Sequence, residues 1–307
     1  MQMDGEESSN LEDRRGDGGS GGGFGGMGGG LGVPIPIGGG LFKGGFGLIA
    51  FVVVALLFGA DPMALLGGMG GGSSSYAPPQ TQSPNRAARP AQDPETQFVS
   101  RVLKSTEDVW SDIFRQMGRQ YREPRLVLFR DATQTSCGVG QSAMGPFYCP
   151  PDQRVYIDLG FFDELASRFH APGQFPQAYV IAHEIGHHVQ NLLGITGKVQ
   201  QMRESMSKRD ANALSVRTEL QADCFAGVWA NHANRQRGGR MIGEADVDQA
   251  LAAATAIGDD RLQRQARGRI VPDSFTHGSS AQRVRWFKTG LQSGDIKKCD
   301  TFRAQQL

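Results

Sequence analysis

The feature that most constrains this chain is the stretch at 183–187, which reads His-Glu-Ile-Gly-His within an apolar, helix-compatible run at 177–193. An α-helix brings residues four apart onto one face, so His183 and His187 can present two imidazole nitrogens to one tetrahedral Zn²⁺. Glu184 then lies beside the metal, where a carboxylate can act as general base toward a metal-activated water. A solvated surface helix is the alternative interpretation, and the surrounding sequence disfavours it.

A zinc site of this kind needs a third protein ligand, and we expect Glu219 to supply it. Residues 218–227 read TELQADCFAG, which places Glu219 and Asp223 on one helix face with small Ala residues between them. Asp223 lies one turn beyond Glu219 and is placed to accept the second ring N–H of a zinc-bound His. An ordinary solvated acidic face is the alternative, but the neighbouring residues are apolar or small.

Other nearby residues are weaker candidates for the metal. No His follows His188 at the spacing of the longer motif with a third His ligand, so that motif is absent. His188 points about 100° around the helix from His187, and we expect it to pack beside the site without binding metal.

A second donor often stabilises the oxyanion in peptidases of this kind. His277 precedes a predicted helix at 279–292 and is our candidate for this role, with nearby Arg283 as the other possibility. A plain helix-capping region built from the neighbouring Ser and Thr residues is the alternative.

Five blocks of sequence carry a resemblance to a known family: residues 10–15 (NLEDRR), 137–149, 183–188, 219–227 and 274–278. Through them the chain resembles, over nearly its full length, the bacterial membrane-anchored proteins called "putative neutral zinc metallopeptidases". The resemblance implies a zincin-like catalytic domain with one Zn²⁺ per chain on His183, His187 and Glu219, and with Glu184 as the catalytic base. It implies no particular substrate.

The N-terminal part of the chain is organised around one apolar run. Residues 1–43 are Gly-rich and predict a disordered tail. Residues 44–60 are uncharged and just long enough to predict a transmembrane anchor, the alternatives being a cleaved signal peptide or a buried core helix. Positive charges precede this run and none follows until Arg86, which predicts a cytoplasmic N-terminus and an extracytoplasmic domain at the cell (inner) membrane. Residues 61–96, rich in Pro, Ser and Gly, predict a linker.

The four Cys residues all follow the apolar run and indicate an oxidising compartment with two structural disulfides. Counting alone allows three pairings. We favour Cys137 with Cys149, which closes a short loop, and Cys224 with Cys299, which ties the Glu219 helix to the C-terminal segment. The family pattern also keeps these four residues together. A cysteine zinc site is the alternative, but the spacing lacks a CxxC pair.

Residues 97–307 predict one mainly helical α+β domain with a small sheet, long enough to form one core. We expect the strand at 154–159 either to lie at a sheet edge, where an extended substrate can pair with it, or to lie beneath the helices. The apolar spacing predicts helices at 95–118, 205–236, 244–258 and 279–292, and strands at 126–129 and 154–159.

Together these features predict a membrane-anchored zinc metallopeptidase, a metalloendopeptidase above all, that acts on a peptide or protein substrate. The alternative is a zinc-stabilised binding or assembly protein at the membrane, and Glu184 disfavours it because a structural zinc site needs no base. Charged residues after the zinc helix disfavour an intramembrane protease. The net charge of +1 gives no case for nucleic-acid binding. The sequence leaves the substrate and the oligomeric state open.

Overall fold

The computed structural model of the chain describes residues 1, 3–16 and 93–307. In this part of the chain, helices pack around a small sheet, and the α+β fold with mainly helical content is confirmed. The helices are α1 (Pro94–Gln116), α2 (Gly160–Ser167), α3 (Gln174–Leu192), α4 (Ile195–Arg203), α5 (Lys208–Gln236), α6 (Glu244–Ala256), α7 (Asp259–Arg267) and α8 (Ser280–Ser293). The strands are β1 (Leu11–Asp13), β2 (Arg125–Phe129), β3 (Ala132–Thr135), β4 (Gly138–Gln141), β5 (Phe147–Cys149) and β6 (Arg154–Asp158).

The larger sheet has the strand order β1-β2-β6-β5. Strands β1, β2 and β6 run parallel, and β5 runs antiparallel to β6. Of the two positions considered for β6, the sheet edge is excluded, because the short strand β5 pairs with its outer side. Strands β3 and β4 form a separate antiparallel pair.

The N-terminal residues correct a second prediction. Residues 1–43 were expected to form a disordered tail, yet residues 11–13 are strand β1, and the side chains of Met3 and Leu11 are buried in the core. Backbone pairing with β2 and burial against α1 compensate for the conformational entropy of ordering this segment. The predicted anchor at 44–60 and most of the linker at 61–96 lie outside the described residues.

Helix α1 begins slightly before the predicted domain boundary. The Asp93 side chain accepts a hydrogen bond from the Thr96 amide, and Pro94 occupies the first helical turn, where its missing N–H costs nothing. Residues 93–96, which were assigned to the linker, therefore belong to the helix and its N-cap.

Two close helix contacts hold the centre of the domain. A Cβ on Gly186 of α3 would lie 3.0 Å from the carbonyl oxygen of Ala222 on α5. The small residues at this crossing therefore allow the two helices to approach closely. Between α5 and α8 the approach is closer still, since a Cβ on Gly290 would lie 1.9 Å from the Cys224 oxygen. Any side chain at Gly290 would force α5 and α8 apart.

Both predicted disulfides are confirmed, between Cys137 and Cys149 and between Cys224 and Cys299. The second fixes the C-terminal segment to α5. Among the helices of the described residues, none combines the length and the apolar character needed to cross a bilayer.

Candidate metal centre

Three predicted ligands converge where α3 crosses α5. One ligand atom from each of His183, His187 and Glu219 lies within 4.8 Å of the others. Glu219 Oε2 lies 3.2 Å from His183 Nε2 and 3.6 Å from His187 Nε2. Ligand atoms around tetrahedral zinc, with bonds of about 2.0–2.1 Å, are separated by about 3.3 Å. The nitrogen and oxygen donors therefore fit a zinc ion in type, and the two separations from Glu219 Oε2 are close to this tetrahedral spacing.

The other ring nitrogen of each His is held by a hydrogen bond, which leaves Nε2 to face the metal position. Asp223 Oδ1 lies 2.9 Å from His183 Nδ1, as the sequence predicted. Gln190 Oε1 lies 2.9 Å from His187 Nδ1. Acceptors of this kind fix the tautomer and the orientation of a ligating imidazole.

The contact of Gln190 with His187 was not predicted from the sequence. Gln190 lies three residues after His187, on the same face of α3, and its spacing alone was a signal that a second acceptor stood there. Its amide donates to the Thr218 carbonyl at 2.7 Å and to Gln221 Oε1 at 3.1 Å. The Gln190 side chain therefore links the metal-binding faces of both helices.

Arg283 has a role different from the one considered for it. Its guanidinium donates from Nε to Asp223 Oδ2 at 2.9 Å and from Nη2 to Asp223 Oδ1 at 2.8 Å. The Tyr179 hydroxyl also donates to Asp223 and accepts a hydrogen bond from Arg283. Because the guanidinium is buried and engaged in this way, Arg283 supports the carboxylate that holds His183 and does not face a substrate oxyanion.

The charges around the site favour a bound cation. Burial opposes ionisation of Asp223, but the charge of Arg283 outweighs it and lowers the pKa of Asp223 to about 2. Burial lowers the pKa of His187, but the charge of Glu219 outweighs that effect and raises this pKa to about 9. Three carboxylates surround the site while Arg283 compensates one of them, so a positive charge is stabilised there.

Glu184 lies on α3 between the two His ligands, and it is nearly fully buried. Burial raises the pKa of its carboxyl group, while the neighbouring His residues oppose that shift. A raised carboxyl pKa suits a group that first accepts a proton and then donates it.

His277 lies in the loop before α8, where Asp259 holds the backbone. Asp259 Oδ2 accepts hydrogen bonds from the amides of Thr276, His277 and Gly278, at 2.7, 2.6 and 3.0 Å. Its other oxygen lies 3.4 Å from His277 Nδ1. Burial lowers the pKa of His277, but this carboxylate and the charge of Glu219 raise it overall. Asp259 therefore fixes the backbone of the loop that carries His277.

His188 packs beside the site, in line with its predicted place. Its Nε2 donates to the Arg122 carbonyl at 2.6 Å, and its Nδ1 accepts from the Tyr148 hydroxyl at 3.0 Å. Burial lowers the pKa of His188 to about 4, so the ring is neutral and connects α3 to strand β5.

Two His residues and one Glu as ligands, with a second Glu next to the first His, are typical of zinc metallopeptidases. The chain belongs to the family described as "Putative neutral zinc metallopeptidase", whose model matches residues 1–302. A protein of Escherichia coli (strain K12) described as "Uncharacterized protein YpfJ" is 49% identical over 296 residues, which cover 96% of this chain and 96% of that protein.

A more distant relative covers less of the chain. "Uncharacterized protein Mb2605" of Mycobacterium bovis (strain ATCC BAA-935 / AF2122/97) is 44% identical over 218 residues, or 68% of this chain and 73% of that protein. No solved structure matches the chain.

Proposed function

We propose that this protein is a zinc-dependent endopeptidase with a zincin-like catalytic domain and one zinc ion on His183, His187 and Glu219. The observation that carries the proposal is the convergence of these three ligand atoms within 4.8 Å, next to Glu184 on the same helix. A site that served structure alone would have no need of a buried carboxylate beside its ligands.

Bound zinc supplies Lewis acidity, which polarises a peptide carbonyl and lowers the pKa of water. Glu184 accepts the proton of the attacking water and passes it to the leaving amine. Asp223 and Gln190 hold the two imidazole rings in the orientation that leaves Nε2 available as a ligand.

His277 is the proposed donor to the oxyanion. Its Nδ1 lies 3.4 Å from Asp259 Oδ1, and the clamp of backbone amides on Asp259 fixes the loop that carries it. A donor that is already oriented stabilises developing negative charge without reorganisation during the reaction.

The substrate is a peptide segment in extended form, and we place its docking strand at β5. In the described residues, the larger sheet has β1 at one edge and β5 at the other. Tyr148 connects β5 to α3 through His188. An extended peptide can add to such an edge through backbone hydrogen bonds.

The test is carried out on the full chain, wild type and Glu184→Gln. We expect about one zinc per chain in both proteins, with chelator-sensitive cleavage of casein by the wild type. Removal of the base lowers turnover by a factor on the order of 10²–10⁴. Zinc content is measured by atomic emission, and cleavage is followed by release of soluble peptides.

Other results lead elsewhere. Equal turnover in the Glu184→Gln variant contradicts the role of Glu184. Zinc without hydrolysis of any unfolded protein favours the binding or assembly protein, and absence of zinc overturns the site. A Glu219→Ala variant that keeps its zinc assigns the third ligand to another residue.

We also propose an extracytoplasmic location for the domain, because its two disulfides are characteristic of oxidising compartments. The predicted anchor at 44–60 lies outside the described residues.

A further inference from the structure

The N-terminal segment at 3–16 is built into the peptidase domain. Strand β1 pairs in parallel with β2, with Leu11 opposite Leu126 and Asp13 opposite Leu128. Two flanking backbone bonds extend the pairing, from the Leu126 amide to the Asn10 carbonyl at 3.0 Å and from the Arg14 amide to the Leu128 carbonyl at 2.7 Å. The segment is therefore a full member of the sheet that supports the site.

Helix α1 carries polar groups that match this segment. The buried Glu107 carboxylate accepts a hydrogen bond from the Ser8 hydroxyl at 2.6 Å and another from the side-chain amide of Asn10 at 2.9 Å. Ser100, also buried, donates to the Ser8 carbonyl at 3.2 Å. Buried polar groups are costly without partners, so the residues of α1 are suited to a helix that the N-terminal segment covers.

Charged groups fix the same segment along the sheet. Glu12 accepts from Arg14 at 2.7 Å, and its other oxygen lies 3.4 Å from Arg154 on β6. This second contact spans β2, since β6 lies on the far side of that strand. The segment is thus held by strand pairing, by buried hydrogen bonds and by charge.

The two ends of the undescribed stretch meet at one point. The Arg15 guanidinium donates to Asp93 at 2.9 Å and to the Thr96 hydroxyl at 2.7 Å. Residue 16 is the last described before the gap and residue 93 the first after it. Arg15 and Asp93 therefore lie side by side at one place on the domain.

We propose that residues 3–16 and the peptidase domain lie on the same side of any membrane the protein meets. Hydrogen bonds of 2.7–3.0 Å between β1 and β2 cannot form across a hydrocarbon core about 30 Å thick. A single crossing at 44–60 with a cytoplasmic N-terminus is incompatible with strand β1. The inference does not depend on the proposed function.

A second copy of the chain does not change this conclusion. If β1 were exchanged between two molecules, each segment would still have to reach a domain on its own side of the membrane. The side itself follows from the two disulfides, which are characteristic of oxidising compartments. We therefore expect both regions on the extracytoplasmic side.

The test uses two variants of the full chain, Glu6→Cys in the N-terminal segment and Lys288→Cys on α8. Both positions are exposed, and the four native Cys residues are paired in disulfides, so each variant adds one free thiol. Spheroplasts are treated with a membrane-impermeant maleimide, with and without detergent, and the parent chain gives the background. We expect both thiols to be labelled equally without detergent.

A crosslink verifies that the segment is docked in the cell. The Asn10 and Glu123 side chains are hydrogen-bonded at 2.8 Å, so Asn10→Cys with Glu123→Cys is expected to form an intrachain link with a short bismaleimide. Protection of both single thiols until detergent is added also supports the proposal and assigns the cytoplasmic side. Labelling of one thiol alone overturns the proposal. Equal labelling without the crosslink overturns the docking of the N-terminal segment, on which the proposal rests.

Discussion

The metal centre and the N-terminal strand are both held by buried polar networks, yet they differ in how they are encoded. At the metal centre, the ligands and the residues that hold them lie on consecutive turns of α3 and α5. At the strand, Ser8 and Asn10 meet Glu107 about a hundred positions away. The first network is visible in local spacing, and the second exists only once the chain has folded.

The difference also separates what each region does. The helix pair brings the three candidate ligands together beside Glu184, so its geometry fixes the relative positions of the groups that we propose carry the chemistry. The N-terminal strand determines where the chain can be placed, because it ties the first residues to the domain. A substitution can weaken either region without changing a residue of the other. Four substitutions therefore test the two regions one at a time.

Loss of Arg283 is expected to have the largest effect. Arg283→Met leaves Asp223 buried beside His183 without its cation, and breaking such a pair costs about 3–5 kcal/mol in the free energy of unfolding. Urea denaturation with chelator present measures this cost. Arg285→Met, on the exposed face of α8, is the matched control. A loss below about 1 kcal/mol for Arg283→Met shows that Tyr179 alone satisfies Asp223.

Gln190→Leu tests the second histidine support. The His187 ring loses its acceptor, and we expect zinc affinity to fall by about 10–100-fold, which corresponds to about 1.4–2.7 kcal/mol. Competition with a fluorescent chelator measures the affinity. Gln201→Leu on exposed α4 serves as the control. Unchanged affinity means that Gln190 joins α3 to α5 without orienting the ligand.

Ser8→Ala tests the docked N-terminal segment. It removes a donor to the buried Glu107 carboxylate, at an expected cost of about 1–2 kcal/mol in the free energy of unfolding. Exposed Glu6→Ala is the control and is expected to change stability by less than about 0.5 kcal/mol. A double-mutant cycle with Glu107→Gln isolates the pair. Zero coupling in that cycle contradicts the contact.

The smallest effect concerns pH at the junction of the two described ranges. Burial raises the pKa of Asp93, but hydrogen bonds from Thr96 and Arg15 outweigh it and lower the pKa to about 2, from 3.8. The carboxylate therefore stabilises the fold above about pH 3.8, and this contribution is lost as the pH falls toward 2. Asp93→Asn keeps a capping side chain but cannot titrate, so the stability difference from wild type is expected to shrink over that window. A constant difference excludes the carboxylate as the cause.

The sequence predicted the helices best where their apolar periodicity is long. The first helix was expected at 95–118 and observed at Pro94–Gln116, and the third ligand was expected on a helix observed at Lys208–Gln236. Short elements escaped prediction, among them β1 and β5, because three residues give too little periodicity to distinguish a strand from a loop. Because β5 was not foreseen, the sequence could not exclude an edge position for β6.

At the site, the sequence supplied residues whose role follows from helical spacing alone. His183, Glu184 and His187 lie within about one turn of α3, and Glu219 and Asp223 lie one turn apart on α5, so the face that each set shares was predictable. Arg283 was considered as a donor to the oxyanion. Its contact with Asp223 was not foreseen, because nothing in its local sequence shows that it is buried against that carboxylate. The proposed part of His277 likewise depends on Asp259, whose amide clamp brings together residues of α7 and the loop before α8.

By itself, the sequence predicted the candidate metal ligands and the helical framework from residue types at fixed helical intervals, and five blocks of resemblance predicted the family, which is confirmed. The tertiary structure alone decided which acceptor holds each histidine, which strand ends the sheet, and that the first sixteen residues include part of the peptidase domain. These features depend on contacts between distant parts of the chain, and such contacts leave no periodic trace in either partner. Their energy appears only when folding removes both partners from water.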